Sequence, residues 1–225
     1  MKDKTTKTKE LVITAMFTAI IIAMAFVPYL GYIPLGFMNA TIIHIPVIIG
    51  AVVLGPKKGA FLGAVFGLTS MINNTFNPNI TSFVFSPFYS VGDMHGNFAS
   101  IIVCMVPRIL IGIVSYYVYK GIVKLLKNRK GSSIPALAIA GIAGSLTNTI
   151  FVMGGIYLLF GESYAAAKGL AYEALFGIIL GVVGTNGVPE AVVAAVLVTA
   201  IGKAMLMYMA KSSTQAVSRG KASVK

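Results

Sequence analysis

The sequence predicts an all-α integral membrane protein, a bundle of six transmembrane helices with both termini in the cytoplasm. Of its 225 residues, 57% are hydrophobic and only 11% are charged, whereas soluble domains carry about 25% charged residues. The mean hydropathy is +0.87, and long apolar runs alternate with short basic clusters. These observations exclude an ordinary soluble enzyme and a disordered chain.

Six segments are long enough to span a membrane, because a transmembrane helix needs roughly 20 mostly apolar residues. They are residues 11–28, 36–54, 59–75, 98–119, 134–160 and 188–210. Proline and glycine separate them, as at Gly55-Pro56. The apolar run 170–183 is short, and we expect it to be interfacial or partly inserted. Residues 1–210 therefore form one membrane domain, and the polar, basic tail 211–225 is expected to be disordered.

The positions of the basic residues predict the topology. The chain has 18 Lys and Arg against 6 Asp and Glu, a net charge of +12. The basic clusters precede the first span, lie between spans two and three and between four and five, and follow the sixth; the opposite connections contain only Lys168. By the positive-inside rule both termini are cytoplasmic, and no nucleic-acid partner is expected. The alternative, a cleaved signal peptide at the start, would leave five spans and break this alternation.

Polar side chains concentrate in the outer halves of the predicted spans. The predicted substrate-binding residues are Asn39, His44, Asn73, Asn74, Arg108, Asn148, Asn186 and Glu190. Polar groups within a membrane are costly and usually face the bundle interior, so this set predicts a pocket that opens outward and is closed below. Some have a structural alternative: Asn186, like Asn97, fits a helix N-cap, and Glu190 fits the first turn of a helix.

Arg108 is the most informative member of this set. It follows Pro107 and lies about 15 Å along its predicted helix, too deep to reach the interface easily. We expect it to face the pocket and to bind an anion.

The outer connection 76–97 is long and aromatic. Its Phe83, Phe85 and Tyr89, together with two prolines and the absence of Lys and Arg, predict a lid over the pocket. The alternative interpretation is an aromatic belt at the membrane interface.

Enzymatic activity is not expected. The sequence contains no nucleophile elbow, no zinc-protease helix motif and no phosphate-binding loop, so ATP hydrolysis would require a partner. No cofactor and no metal site are expected: Asp93 and His95 are too few and too isolated from other ligands to form a metal site, and Cys104 belongs to no Cys/His cluster.

The first span carries a stripe of small residues. Ala15, Ala19 and Ala23 lie four residues apart and therefore share one helix face. Small residues allow close helix approach in lipid, so the stripe predicts either internal packing or contact with a partner helix.

Two segments carry a resemblance to a known family. IIHIPVIIGAVVLGPKKGAFLGAVFGL, 42–68, and NGVPEAVVAAVL, 186–197, resemble the substrate-binding S component of energy-coupling factor (ECF) vitamin transporters. The resemblance covers all six spans and leaves 120–133 and the tail unassigned. It implies a protein of the bacterial plasma membrane that captures a vitamin tightly. It also implies that the alanine stripe docks on a transmembrane coupling subunit bound to two cytoplasmic ATPases.

Within that family, GYIPLGFMNATIIHIPV, 31–47, is most similar to pantothenate-specific members. Arg108 for the carboxylate and a ring of Asn and His for the neutral groups would suit a small carboxylate with hydroxyls and an amide. The chain contains no Trp to stack on a flat vitamin. The alternatives are another vitamin, such as folate, a pyridoxine-type vitamin or riboflavin, and a self-sufficient ion-coupled secondary transporter. No internal repeat of the kind common in such carriers is evident.

Overall fold

The fold is a bundle of α-helices with two small hairpins. The computed structural model describes residues 4–27, 30–34, 39–127, 129 and 131–222, without the side chains of 4–6, 32–34, 39–40 and 212–222. The helices are α1 (Lys4–Phe26), α2 (His44–Leu54), α3 (Pro56–Phe76), α4 (Phe98–Leu125), α5 (Ser133–Ala167), α6 (Tyr172–Val182) and α7 (Val188–Ala222). Strands β1 (Tyr32–Pro34) and β2 (Asn39–Thr41) pair antiparallel, as do β3 (Ser90–Val91) and β4 (Met94–His95).

The prediction of a helical membrane protein is confirmed. Within the described residues, four stretches are long and apolar enough to cross a membrane: Lys7–Phe26, Phe98–Leu125, Ser133–Ala167 and Tyr172–Lys211. Helix α2 is apolar but has only 11 residues, and α3 begins with two lysines and ends with two asparagines. The count of six spans therefore stays a prediction for these two helices.

The start of α2 differs from the predicted span 36–54. Residues 39–41 form a strand, and the helix begins at His44. The reason is Pro46, which has no amide hydrogen and fits the first turn of a helix but not its interior. The helix that remains is central, since all residues from His44 to Val52 are buried.

Helices α3 and α4 pack with their backbones close together. A Cβ on Gly59 would meet Gly112 and Ala51, and a Cβ on Gly63 would overlap the carbonyl oxygen of Arg108. Only glycine permits this approach, which is a recurrent way of packing helices in membranes. The contact places the backbone of Arg108 next to Gly63, and so fixes the position of Arg108 along the axis of α3.

Helices α6 and α7 form one continuous rod through a π-helical turn, Val183–Gly187. Leu175 and Ile179 of α6 are buried near α5, while Phe176 and Leu180 are exposed. The segment 170–183, expected to be interfacial or partly inserted, is therefore mostly helical and continuous with the last helix. The helical backbone also continues beyond the predicted end of that span, to Ala222, where the sequence predicts a disordered tail.

The two ends of the bundle differ in how they are held together. At the lysine-rich end, Lys58 at the start of α3 pairs with Glu10 of α1, Nζ to Oε2 3.0 Å. At the other end Phe83, Val103 and Phe160 belong to a separate small apolar core. Asn97 caps α4 there through a reciprocal pair of hydrogen bonds with Ser100, as the sequence predicts.

Candidate ligand-binding site

Two adjoining cavities lie at the end of the bundle away from the Lys57-Lys58 turn. The larger has a volume of about 450 Å³, within the range of about 300–1,000 Å³ typical of small-molecule sites. The smaller has a volume of about 190 Å³. The larger is lined by Thr41, Phe66, Ser70, Asn73, Asn74, Asn77, Asn79, Phe85, Arg108 and Asn148. The smaller is lined by Thr41, Phe85, Arg108, Asn148, Thr149, Val152, Met153, Val182, Asn186 and Glu190.

One face of α3 provides much of the larger cavity. Phe66, Ser70, Asn73 or Asn74, and Asn77 recur at intervals of three or four residues, which places them on a single side of the helix. Asn74 is fixed at both ends of its amide: Nδ2 donates to the carbonyl oxygen of Ser70 at 2.8 Å, and Oδ1 accepts from Ser82 Oγ at 2.8 Å. The wall is therefore polar and held in place.

The side chain of Arg108 is positioned by its own helix. Pro107 has no amide hydrogen to donate, so the carbonyl of Val103, four residues earlier, loses its helical partner. Arg108 Nη1 donates to that carbonyl at 2.8 Å. The guanidinium carbon lies 5.6 Å from the ring centroid of Phe66 and 5.2 Å from that of Phe85, within cation–π range. Sequence and local geometry together turn the charge into the cavity.

Arg108 retains unused binding capacity. The residue is only 7% exposed, and its Nε has no hydrogen-bond partner among the described residues. Among the described residues no carboxylate pairs with Arg108; the ion pair found there joins Lys58 to Glu10. Because an unpaired buried cation is costly, this arrangement is typical of a site that binds an anion.

Asn148 of α5 lies on the wall between the two cavities. It is 8% exposed, and its Oδ1 finds no partner in the described part of the protein. A buried unsatisfied carbonyl costs about 1–3 kcal/mol. A ligand that donates a hydrogen bond here would remove this cost.

Glu190 connects the smaller cavity to the first hairpin. Its side chain is buried, and Oε1 accepts from the backbone N–H of Thr41 at 2.7 Å. This bond ties β2 to α7. Asn186, in the π-helical turn just before, lines the same cavity.

The connection 76–97 is fastened over the site by buried side chains. Phe83 is fully buried and packs edge-on against Phe160, with ring centroids 6.0 Å apart, and Ser100 Oγ donates to the carbonyl of Phe83 at 2.7 Å. Phe85 alone of the three predicted lid aromatics lines the cavities. Tyr89 is half-buried against the same small core as Phe83. Phe83 and Tyr89 therefore anchor the connection, and Phe85 reaches the site.

The structure brings together most of the predicted substrate-binding residues. Those that line one or both cavities are Asn73, Asn74, Arg108, Asn148, Asn186 and Glu190. His44 is fully buried in α2 and is not among the lining residues. The side chain of Asn39 lies outside the described residues.

Sequence reasoning missed several lining residues. The apolar ones, Phe66, Val152 and Met153, are of the same residue types as the core. Ser70 and Asn77, however, follow the spacing of Asn73 and Asn74 along α3 and could have been found from it.

The alanine stripe of α1 is exposed. Ala15, Ala19 and Ala23 all lie on the outer surface of the bundle, so their face is not covered by the described helices. Among the residues described, no group of three or more His, Cys, Asp or Glu side chains could hold a metal ion.

The chain is similar to several known proteins. Residues 9–202 match the family model of the ECF transporter substrate-specific component. The chain is 39% identical over 207 residues to the pantothenic acid transporter PanT of Lactococcus lactis subsp. cremoris (strain MG1363), covering 90% of this chain and 96% of that protein. It is 32% identical over 205 residues to the pantothenate transporter PanT of Leuconostoc mesenteroides subsp. mesenteroides, covering 89% and 93%. The crystal structure at 2.1 Å of the S-component for biotin from an ECF-type ABC transporter is 18% identical, with a TM-score of 0.49 and coverage of 90% and 95%.

Proposed function

This chain belongs to the family of substrate-specific components of ECF transporters, and we propose that it captures pantothenate at the cavities around Arg108. It is a multi-pass protein of the cell membrane, and its family consists of transport components rather than enzymes. The two relatives named for pantothenate, at 39% and 32% identity over nearly the whole chain, support this vitamin over folate, riboflavin or a pyridoxine-type vitamin.

The observation that carries the proposal is the buried guanidinium of Arg108. It is held by a carbonyl of its own helix and by two aromatic rings, and its Nε faces no partner among the described residues. Pantothenate has one carboxylate, which a guanidinium can bind through two parallel hydrogen bonds. Its uncharged polar groups match the polar side chains that line the same cavities, among them Asn148 and Glu190.

The proposal includes the topology and the partners. We infer that α2 and α3 complete six spans, with both termini in the cytoplasm next to the lysines at 57 and 58. The cavities then open to the outer side. The exposed stripe of Ala15, Ala19 and Ala23 supports docking on the transmembrane coupling subunit that, with two ATPases, drives uptake in this family.

The test is to identify the ligand directly. The protein is expressed without partner subunits, purified in detergent and denatured, and the released small molecules are identified by mass spectrometry. We expect pantothenate, and calorimetric titration of ligand-free protein with pantothenate should give saturable one-site binding. A different vitamin in the released fraction, or no binding of pantothenate, would overturn the assignment.

A self-sufficient secondary transporter remains the competing function, and energetics distinguish the two. Uptake of radiolabelled pantothenate should stop when the ATPase subunits are deleted and should be insensitive to an uncoupler. Uptake that persists without the ATPases and collapses with the uncoupler would favour the secondary transporter.

A further inference from the structure

The two cavities share a wall but differ in chemistry beyond it. Thr41, Phe85, Arg108 and Asn148 line both, so a single elongated ligand can occupy the two together. Arg108 lies at this junction, which places the one charge of a monoanion near the middle of the site rather than at its far end.

The larger cavity offers amides and hydroxyls beside the guanidinium. Its own lining residues beyond the shared wall are Phe66, Ser70, Asn73, Asn74, Asn77 and Asn79, and none of these described side chains is acidic. Amide N–H groups donate to carboxylate oxygens. A carboxylate is therefore well accommodated on this side of Arg108.

The smaller cavity is acidic and partly apolar. Glu190 contributes a carboxyl group that is 7% exposed, and the wall around it includes Val152, Met153 and Val182. A second carboxylate here would lie beside Glu190, and two carboxylates that share a buried site cannot both ionise without a large cost. A neutral group that donates a hydrogen bond and carries methyl groups fits instead.

The geometry points to one orientation of the ligand: the carboxylate binds Arg108 from the larger cavity, and the branched, hydroxylated end enters the smaller cavity and donates to Glu190. This inference rests on the proposed function. In pantothenate the branched end carries two methyl groups and two hydroxyls. The methyl groups then contact Val152, Met153 and Val182, and Glu190 selects a hydroxyl over an acid.

The test combines ligand analogues with variants of the purified protein. Pantothenate is compared with an analogue whose terminal hydroxymethyl group is replaced by methyl, by calorimetry on wild type and on Glu190→Gln. The Gln carbonyl can still accept the N–H of Thr41, so the hairpin bond survives. A hydrogen bond to a charged group is worth about 1.5–3 kcal/mol, so the analogue should bind wild type about 30-fold more weakly. In Glu190→Gln the same loss should fall to about threefold.

The matched variant on the other side is Asn73→Ala. In this variant the methyl analogue should still bind about 30-fold more weakly than pantothenate, because Asn73 lines the larger cavity and not the smaller one. If the ligand binds the other way round, the difference in affinity between pantothenate and the methyl analogue becomes smaller in Asn73→Ala and stays the same in Glu190→Gln. That result would overturn the inference.

A measurement on wild type alone keeps the inference testable if Glu190→Gln does not fold. A dicarboxylate analogue, with the terminal hydroxymethyl group oxidised to a carboxylate, should bind at least about 100-fold more weakly than pantothenate. Binding of the dicarboxylate within a few-fold of pantothenate would overturn the orientation. Wild type that binds no pantothenate at all would instead overturn the proposed function, so the two failures are distinguishable.

Discussion

Two cavities of nearly equal size occupy opposite ends of this bundle. The groove between α1 and α7 at the lysine-rich end measures about 470 Å³, and the larger site cavity about 450 Å³. The groove is lined by Thr8, Lys9, Val12, Ile13, Met16, Met205, Tyr208 and Met209. Volume therefore does not identify the binding site. The difference lies in the buried polar groups: Arg108 and Asn148 line the site cavity, and each has a buried side-chain atom with no partner among the described residues. The groove instead has a mainly apolar wall suited to lipid or another helix.

The largest expected effect is the loss of ligand binding in Arg108→Ala. Removing one partner of a buried charge pair costs about 2–5 kcal/mol, so pantothenate affinity should fall at least about 30-fold, with the melting temperature of the ligand-free protein little changed. Lys should restore binding only in part, because it replaces a planar fork with a point charge. The matched control is Arg129→Ala, which removes an exposed guanidinium at the other end. If Arg108→Ala bound pantothenate within a few-fold of wild type in calorimetry, Arg108 would not be the residue that binds the carboxylate.

The next effect separates transport from binding. Ala19→Trp should abolish pantothenate uptake in cells and leave calorimetric binding by the isolated protein intact, because Ala19 lies on the exposed face of α1, away from the site. Leu158→Trp, at a position 78% exposed on α5, is the control and should transport normally. If Ala19→Trp lost both binding and thermal stability, the stripe would belong to the internal core, and partner docking would have to be withdrawn.

A third variant tests the scaffold beneath the site. In Gly63→Ala the new methyl group would overlap the backbone of Arg108, and such overpacking costs about 1–3 kcal/mol. The melting temperature should fall by several degrees and pantothenate binding should weaken. Gly154→Ala, a helical glycine whose Cβ would meet nothing within 4 Å, should be neutral or slightly stabilising. Equal melting temperatures for the two variants would show that α3 and α4 are not closely packed.

Asn148→Ala should have a smaller effect on binding. The variant loses one hydrogen bond to the ligand, so affinity should fall about tenfold, while the ligand-free protein should be no less stable because an unsatisfied buried carbonyl has been removed. Ser145→Ala is the control: Ser145 is also buried on α5 with an unsatisfied hydroxyl among the described residues, but it lines neither cavity. A tenfold loss in both variants would mean that α5 acts through its packing rather than through Asn148.

The smallest expected effect comes from the groove. Met16→Ala should leave pantothenate affinity within about twofold of wild type, because Met16 lines the apolar groove and neither of the two site cavities. A loss comparable to that of Asn148→Ala, measured under the same conditions, would indicate that the ligand binds in the groove at the lysine-rich end rather than in the cavities around Arg108.

The sequence was sufficient for the helical membrane class, because charge and hydropathy act locally along the chain, and six of the eight predicted polar residues line the two cavities. Pro46 also restricts α2 to start near His44, later than the start of the predicted span 36–54. Contacts distant in the chain could not be foreseen. The bond from Thr41 to Glu190 spans 149 positions, and Phe83 and Phe85, two residues apart, differ in that the first anchors the connection and the second contacts Arg108.

We propose that the vitamin binds in the cavities around Arg108 rather than in the apolar groove. An experimental structure of the purified protein saturated with pantothenate tests this most directly. We expect ligand density between the guanidinium of Arg108 and the amide of Asn148, extending toward Glu190, and none in the groove between α1 and α7. Ligand density that does not contact Arg108, or that fills the groove, would contradict it.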